Sequence, residues 1–165
     1  SLYYYLQVTN LGQIMRHRIY LDTSVFGGVF DDEFSRPSRI LFDQIKSGLY
    51  VLVTSAVVQQ ELLGAPKAVT DLFDEIVPFA EIVDVSEQAL KLRNAYLEAK
   101  IVPPRYAEDA LHVALASVSE CKILVSWNFK HIVHFDKISL YNAVNVLNGY
   151  DAISIFSPQE VIAYE

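Results

Sequence analysis

Hydrophobic positions in this chain fall into short, dense blocks separated by polar breaks. Ile19-Tyr20-Leu21, Val51-Leu52-Val53, Ile82-Val83-Asp84-Val85, Ile123-Leu124-Val125 and Ile153-Ser154-Ile155-Phe156 are the compact apolar runs. Runs of this length without strict alternation suit strands of a parallel sheet whose two faces are both covered by helices. The segments between them read as helices with local start and stop signals. Ser38 is placed to cap a helix running to about Ser47, with Gly48 ending it. Thr54-Ser55 precede a helix over Ala56–Leu63, closed by Gly64 and Pro66, and Lys67–Ile76 forms another. Ser86 starts a longer helix to about Lys100, and Pro103-Pro104 separates it from Tyr106–Ser119. That last helix is nearly all apolar after Asp109, the pattern of a helix buried on every side. Gly27 to Pro37 reads as a helix end and loop, and Tyr141–Tyr150, with Asn142, Asn145 and Asn148, as turn chemistry and packing. Ser157-Pro158-Gln159-Glu160 carries a capping-box signature. Strands alternating with helices predict an α/β domain built on a parallel sheet with helices on both faces.

Composition narrows the class. The chain has 165 residues and is 52% hydrophobic, which is enough to bury a sizeable core in one domain. Its only methionine is Met15, so residues 1–14 are expected to be an upstream extension without chemistry, and 15–165 a single domain. No apolar run approaches the roughly 18–20 residues a membrane span requires. The single cysteine, Cys121, excludes an internal disulfide and suits a reducing cytoplasm. A net charge of −7 argues against a module that grips nucleic acid by bulk electrostatics. It leaves room for a metal-dependent enzyme acting on phosphates, because bound divalent cations invert the local field.

Three acids stand out by position. Asp22 ends the first strand, Glu61 lies in the helix after the second, and Asp109 opens the buried helix. Asn128, an oxygen donor, lies just past the fourth strand. In a parallel sheet all strand carboxyl ends share one edge, where open α/β sheets bind their ligands. Asp22 and Asn128 therefore lie on that edge, and the helix carrying Glu61 starts there. Two readings of the acids remain open. In one, Asp22 caps a helix, Glu61 sits on a solvated face and Asp109 pairs with Arg105. In the other, the acids hold a metal, since a carboxylate on a buried helix is costly unless paired or bound to a cation. Oxygen donors without cysteine or a spaced histidine pair suit Mg²⁺ or Mn²⁺ rather than zinc.

Leu21-Asp22-Thr23-Ser24, Ser55 through Glu61-Leu62, Asp109-Ala110-Leu111-His112-Val113-Ala114 and Leu124-Val125-Ser126-Trp127-Asn128-Phe129 occur in an order that resembles the PIN-domain family. The resemblance runs from about Arg18 to Phe156. It implies a three-layer α/β/α domain with a short parallel sheet of about five strands. The implied activity is a metal-dependent endoribonuclease hydrolysing phosphodiester bonds of single-stranded RNA, in many members the toxin of a VapC-type toxin–antitoxin pair. It further implies Asp22, Glu61, Asp109 and Asn128 as catalytic and metal-holding positions for Mg²⁺ or Mn²⁺, with Ser24 as a supporting hydroxyl. Asn128 stands where many members have Asp, which gives one metal less charge. Implied protein partners are an antitoxin and a second copy of the chain.

Around these positions, His112 is expected to be a packed, hydrogen-bonded core histidine, and Trp127 to pack over the sheet edge rather than to stack a base. Lys130 and His131 follow Asn128, as phosphate contacts or as an exposed loop. Two rival functions remain: a non-catalytic PIN-fold binding module, and another doubly wound phosphohydrolase. A haloacid-dehalogenase phosphatase needs a second Asp two residues after the first, where this chain has Ser24.

Overall fold

A computed structural model describes residues 16–163, so the expected extension over 1–14 lies outside the described residues. Five strands form one sheet: β1 (Arg18–Leu21), β2 (Val51–Ser55), β3 (Ala80–Val83), β4 (Ile123–Val125) and β5 (Ser154–Phe156). They lie in the order β3-β2-β1-β4-β5, and every neighbouring pair is parallel. The apolar runs become central strands because both faces are covered. Ile19, Tyr20, Leu21, Leu52, Val53 and Leu124 are all fully buried.

The helices are α1 (Thr23–Gly28), α2 (Ser35–Lys46), α3 (Ala56–Glu61), α4 (Lys67–Ile76), α5 (Glu87–Glu98), α6 (Ala107–Val118), α7 (Phe135–Leu147) and α8 (Pro158–Val161). One group packs together as α1 on α2 and α4, with α8 on α2; the other as α5 on α6 and α7. The strand order reverses direction at β1, so right-handed crossovers put these two groups on opposite faces. The fold is the expected parallel α/β layer structure, and the reversal lies beside the first strand. Helix α6 is buried from Ala110 through Ser117, as its unbroken apolar run predicts.

Local signals act where the sequence places them. The Ser55 hydroxyl accepts the Val58 N–H at 3.3 Å, and the Ser86 hydroxyl accepts that of Ala89 at 3.1 Å. The Ser157–Glu160 capping box forms. Gly48, at φ +86°, ends α2 with N–H bonds from Gly48 to Ile45 and from Leu49 to Gln44, a Schellman closure.

Three expectations need correction. Helix α2 starts at Ser35, not at a Ser38 cap. Pro37 sits inside its first turn, where a missing N–H costs nothing, and Ser38 is fully buried, accepting the Trp127 indole N–H at 2.9 Å. Strand β3 is Ala80–Val83 rather than 82–85, because its register against β2 ends at Ser55↔Val83 and Asp84 and Val85 lie beyond that ladder. The Asn-rich stretch read as turns is mostly helix α7. Its asparagines find tertiary partners that override their turn preference. Asn145 accepts the Tyr96 hydroxyl and donates to Ser117 Oγ at 2.9 Å, while Asn142 exchanges two bonds with the Ile153 backbone.

Candidate active site

The carboxyl edge of the sheet gathers the predicted positions. Asp22 leaves β1 directly beside the end of β4, because the parallel register pairs Leu21 with Val125. That register brings Ser126 to Asp22 across 104 residues of chain. Asp22 is 4% exposed, and hydroxyls cradle its carboxylate. Ser24 Oγ and the Ser24 N–H donate to Oδ1 at 2.5 and 3.1 Å, and Ser126 Oγ donates to Oδ2 at 2.5 Å. Each hydroxyl is itself held, Ser24 Oγ by the Trp127 N–H at 2.8 Å and Ser126 Oγ by the Asn128 N–H at 2.9 Å. Asp22 thus caps α1 and is also the most buried acid of the site. Burial pushes its pKa up and the charge of Glu61 adds to this, opposed by His112 and by the Ser126 and Ser24 hydrogen bonds.

Glu61 ends α3, and its Oε1 lies 2.7 Å from His112 Nε2. The other ring nitrogen, Nδ1, lies 2.8 Å from the Tyr20 hydroxyl, which is in turn 2.8 Å from Ser55 Oγ. His112 is 3% exposed, the packed and hydrogen-bonded core histidine expected, and one of its bonds reaches a candidate ligand. Burial works against its charged form. The bond to Glu61 and the charges of Asp22, Glu61 and Asp109 outweigh burial and raise its pKa.

Asp109 lies in the first turn of α6, half-buried. The pair with Arg105 that one of the two open readings required does not form: among the described residues the ion pairs are Arg18–Glu81, Lys46–Glu75, Lys67–Asp71 and Glu61–His112. Asp109 is near enough for its charge to act on both His112 and His131. Asn128 is half-buried, and its Oδ1 accepts the His131 N–H at 2.9 Å, so this amide also holds its own loop.

Trp127 packs as expected and is 7% exposed. It stacks on Phe34 with centroids 4.1 Å apart and lies against Gly28, where a Cβ would meet its Nε1 at 2.6 Å. Cys121 is away from this edge, just ahead of β4, and burial pushes its thiol up to about 12, which makes it a poor nucleophile. A cavity of about 350 Å³ that includes Cys121, Lys122 and Tyr150 also lies at the amino ends of β4 and β5, away from the acids.

The sequence profile of the PIN domain matches residues 19–138, a span that contains Asp22, Glu61, Asp109 and Asn128. The chain belongs to the PIN-domain family. No curated protein matches this PIN domain in sequence. Solved structures share its fold at low identity. A DNA-bound VapBC from Salmonella typhimurium is 16% identical, with a TM-score of 0.55, over 87% of this chain and 99% of the other. FitAB bound to a DNA fragment is 16% identical, with a TM-score of 0.56, over 89% of this chain and 99% of the other. A toxin–antitoxin complex from Klebsiella pneumoniae is 16% identical, with a TM-score of 0.53, over 72% of this chain and 93% of the other.

The donor set suits an oxygen-preferring divalent ion in kind, with Asp22 as a buried anchoring carboxylate. In arrangement it is open: among the described residues no three His, Cys, Asp or Glu side chains stand close enough to hold one ion. Openness is compatible with Mg²⁺, which is commonly bound by one or two carboxylates together with water and substrate phosphate. Two contributors were not identified from the sequence. Ser126 read as a polar break, and the contact of His112 with Glu61 joins a helix to a helix 51 residues away. The pairing of β1 with β4 was the missing signal for Ser126.

Proposed function

We propose that this PIN domain is a metal-dependent endoribonuclease that cuts single-stranded RNA, and that it is the toxin of a toxin–antitoxin pair. The observation that carries the reading is Asp22: a carboxylate 4% exposed, raised in pKa by burial, at the ligand-binding edge of the sheet. Asp22, Glu61, Asp109 and Asn128 would hold Mg²⁺ or Mn²⁺. When bound, the ion supplies positive charge for the phosphate and lowers the pKa of an attacking water. The chain's own residues do the positioning. Ser24 and Ser126 fix the Asp22 carboxylate in one orientation, His112 fixes Glu61, and Lys130, exposed two residues after Asn128, would supply a positive charge for the phosphate. No side-chain nucleophile is required. An antitoxin would inhibit most directly by inserting an arginine, whose planar fork pairs bidentately with carboxylates.

The test is cleavage of single-stranded RNA with Mn²⁺ or Mg²⁺, with Asp22→Asn, Glu61→Gln and Asp109→Asn as controls. Cleavage that needs the ion and disappears in all three variants supports the proposal; cleavage that survives Asp22→Asn sinks it. One observation favours a second reading, a non-catalytic PIN-fold module. Asn128 is neutral and its Oδ1 already serves the His131 N–H. A parent protein whose melting temperature is unmoved by either ion would favour that module.

A further inference from the structure

Beside the acids, three residues converge on one ring. Arg105 Cζ lies 4.9 Å from the centroid of Tyr106, Lys130 Nζ lies 5.8 Å from it, and the His131 ring packs against it, tilted by 31° with centroids 3.9 Å apart. The two cations come from the segments that deliver the candidate ligands. Arg105 and Tyr106 form the 3₁₀ turn leading into α6 and Asp109, and Lys130 and His131 follow Asn128.

The platform is fixed while its cations are exposed. His131 is 8% exposed, its N–H is held by Asn128 Oδ1, and its carbonyl accepts the Tyr141 hydroxyl at 2.8 Å. The Ile132 and Val133 N–H groups both return to the Asn128 carbonyl. Neither Arg105 nor Lys130 is paired with a carboxylate among the described residues, so their charge is not neutralised at short range. What sets these two cations apart is position: both belong to segments that carry a candidate ligand, and both meet on one ring.

We infer that Arg105 and Lys130, braced on Tyr106 and His131, form a clamp for a backbone phosphate of a single-stranded RNA strand lying across the acids. The inference deepens the ribonuclease reading and rests on it for the identity of the strand. With His131 already packed against Tyr106, the ring serves as a brace for cations rather than as a free platform for a base. The clamp engages charge rather than base edges, so it adds affinity without sequence preference. Chain connectivity ties it to the candidate ligands: Arg105 precedes Asp109 in the turn that runs into α6, and Lys130 follows Asn128 in its loop.

The experiment measures binding of a fluorescent single-stranded RNA to the parent, Arg105→Gln, Lys130→Gln and the double variant across a range of salt, in Ca²⁺ and without it. A phosphate contact on a single strand contributes about 0.7 to the slope of log affinity against log salt. Each single variant should lower that slope by about 0.7 and the double variant by about twice as much. Tyr106→Phe should keep the parental slope and Tyr106→Leu should lower it, with melting temperature verifying that each variant is folded. Lys91→Gln, on α5, is the control and should match the parent. An unchanged slope in the folded double variant overturns the clamp, as does a parent that binds no RNA. These outcomes are separate from the cleavage test: a clamp can fail in an active nuclease, and a strand can bind through the clamp to a protein that cuts nothing.

Discussion

His112 Nε2 stands 2.7 Å from Glu61 Oε1 and joins the last residue of α3 to the second turn of α6. The histidine is buried and the glutamate about a third exposed, so one partner is rigid and orients the other. Hydrogen bonds behind a ligand commonly set its direction in this way. His112→Phe keeps a ring in the core and removes both nitrogen contacts. Stability should fall by about 1–3 kcal/mol in urea unfolding. Any ion-dependent activity should drop more than the stability loss explains.

The same residue sets a pH dependence with a definite sign. The folded-state pKa of His112 is raised above its ordinary 6.5, so the folded protein binds this proton more tightly than the unfolded chain. Its contribution is full below the unfolded value and is lost as pH rises through the folded value. Urea midpoints measured upward from pH 6 should decline in the parent more steeply than in His112→Phe. Equal slopes in the two proteins would remove the assigned protonation.

Asp22 is raised for a different reason, chiefly burial. A buried carboxylate with a raised pKa favours the folded state at low pH, and that contribution is lost as pH climbs through the folded value. Asp22→Asn should therefore melt at the same temperature as the parent or higher at pH 7 without added metal. Mn²⁺ at a hundred times its dissociation constant should stabilise the parent by about 2.7 kcal/mol and the variant hardly at all. A variant that gains as much as the parent would place the anchor elsewhere.

Gly28 is required by contact rather than by backbone conformation. A Cβ there would stand 2.6 Å from Trp127 Nε1 and 2.9 Å from Ser38 Oγ, the two partners of one hydrogen bond. Gly28→Ala should cost about 1–3 kcal/mol from overpacking. Trp127 is the only tryptophan, so a red shift in intrinsic emission would report its displacement directly.

Thr54, on β2, is 1% exposed and its hydroxyl oxygen has no hydrogen-bond partner. Thr54→Val keeps the branched shape and removes a desolvated polar atom. Thermal or urea unfolding should show a gain of about 1 kcal/mol. A loss of stability would mean the hydroxyl is satisfied in solution.

Much of the fold was legible because its signals are local. The runs Val51-Leu52-Val53 and Ile123-Leu124-Val125 became strands within a residue or two of their ends, and Lys67–Ile76 became a helix with the expected bounds. Ser55 and Ser86 cap the helices that follow them because a hydroxyl reaches an N–H three residues on without help from the rest of the chain. The stretch after Tyr141 misled because its asparagines favour turns locally, whereas Asn145 is buried against Tyr96 and Ser117 from other helices.

The sequence alone determined the parallel α/β class, the edge to which Asp22 and Asn128 belong, and the oxygen-donor character of the candidate site. It did so through residue type and spacing, which need no knowledge of what lies across the sheet. Tertiary structure decided that Ser126 holds Asp22, that His112 bridges Glu61 to Tyr20, and that Tyr106 gathers Arg105, Lys130 and His131. Most of these contacts join residues dozens of positions apart, and which of them meet follows from strand order, strand register and helix packing. Those depend on how the whole core closes around β1, and no local pattern encodes that closure.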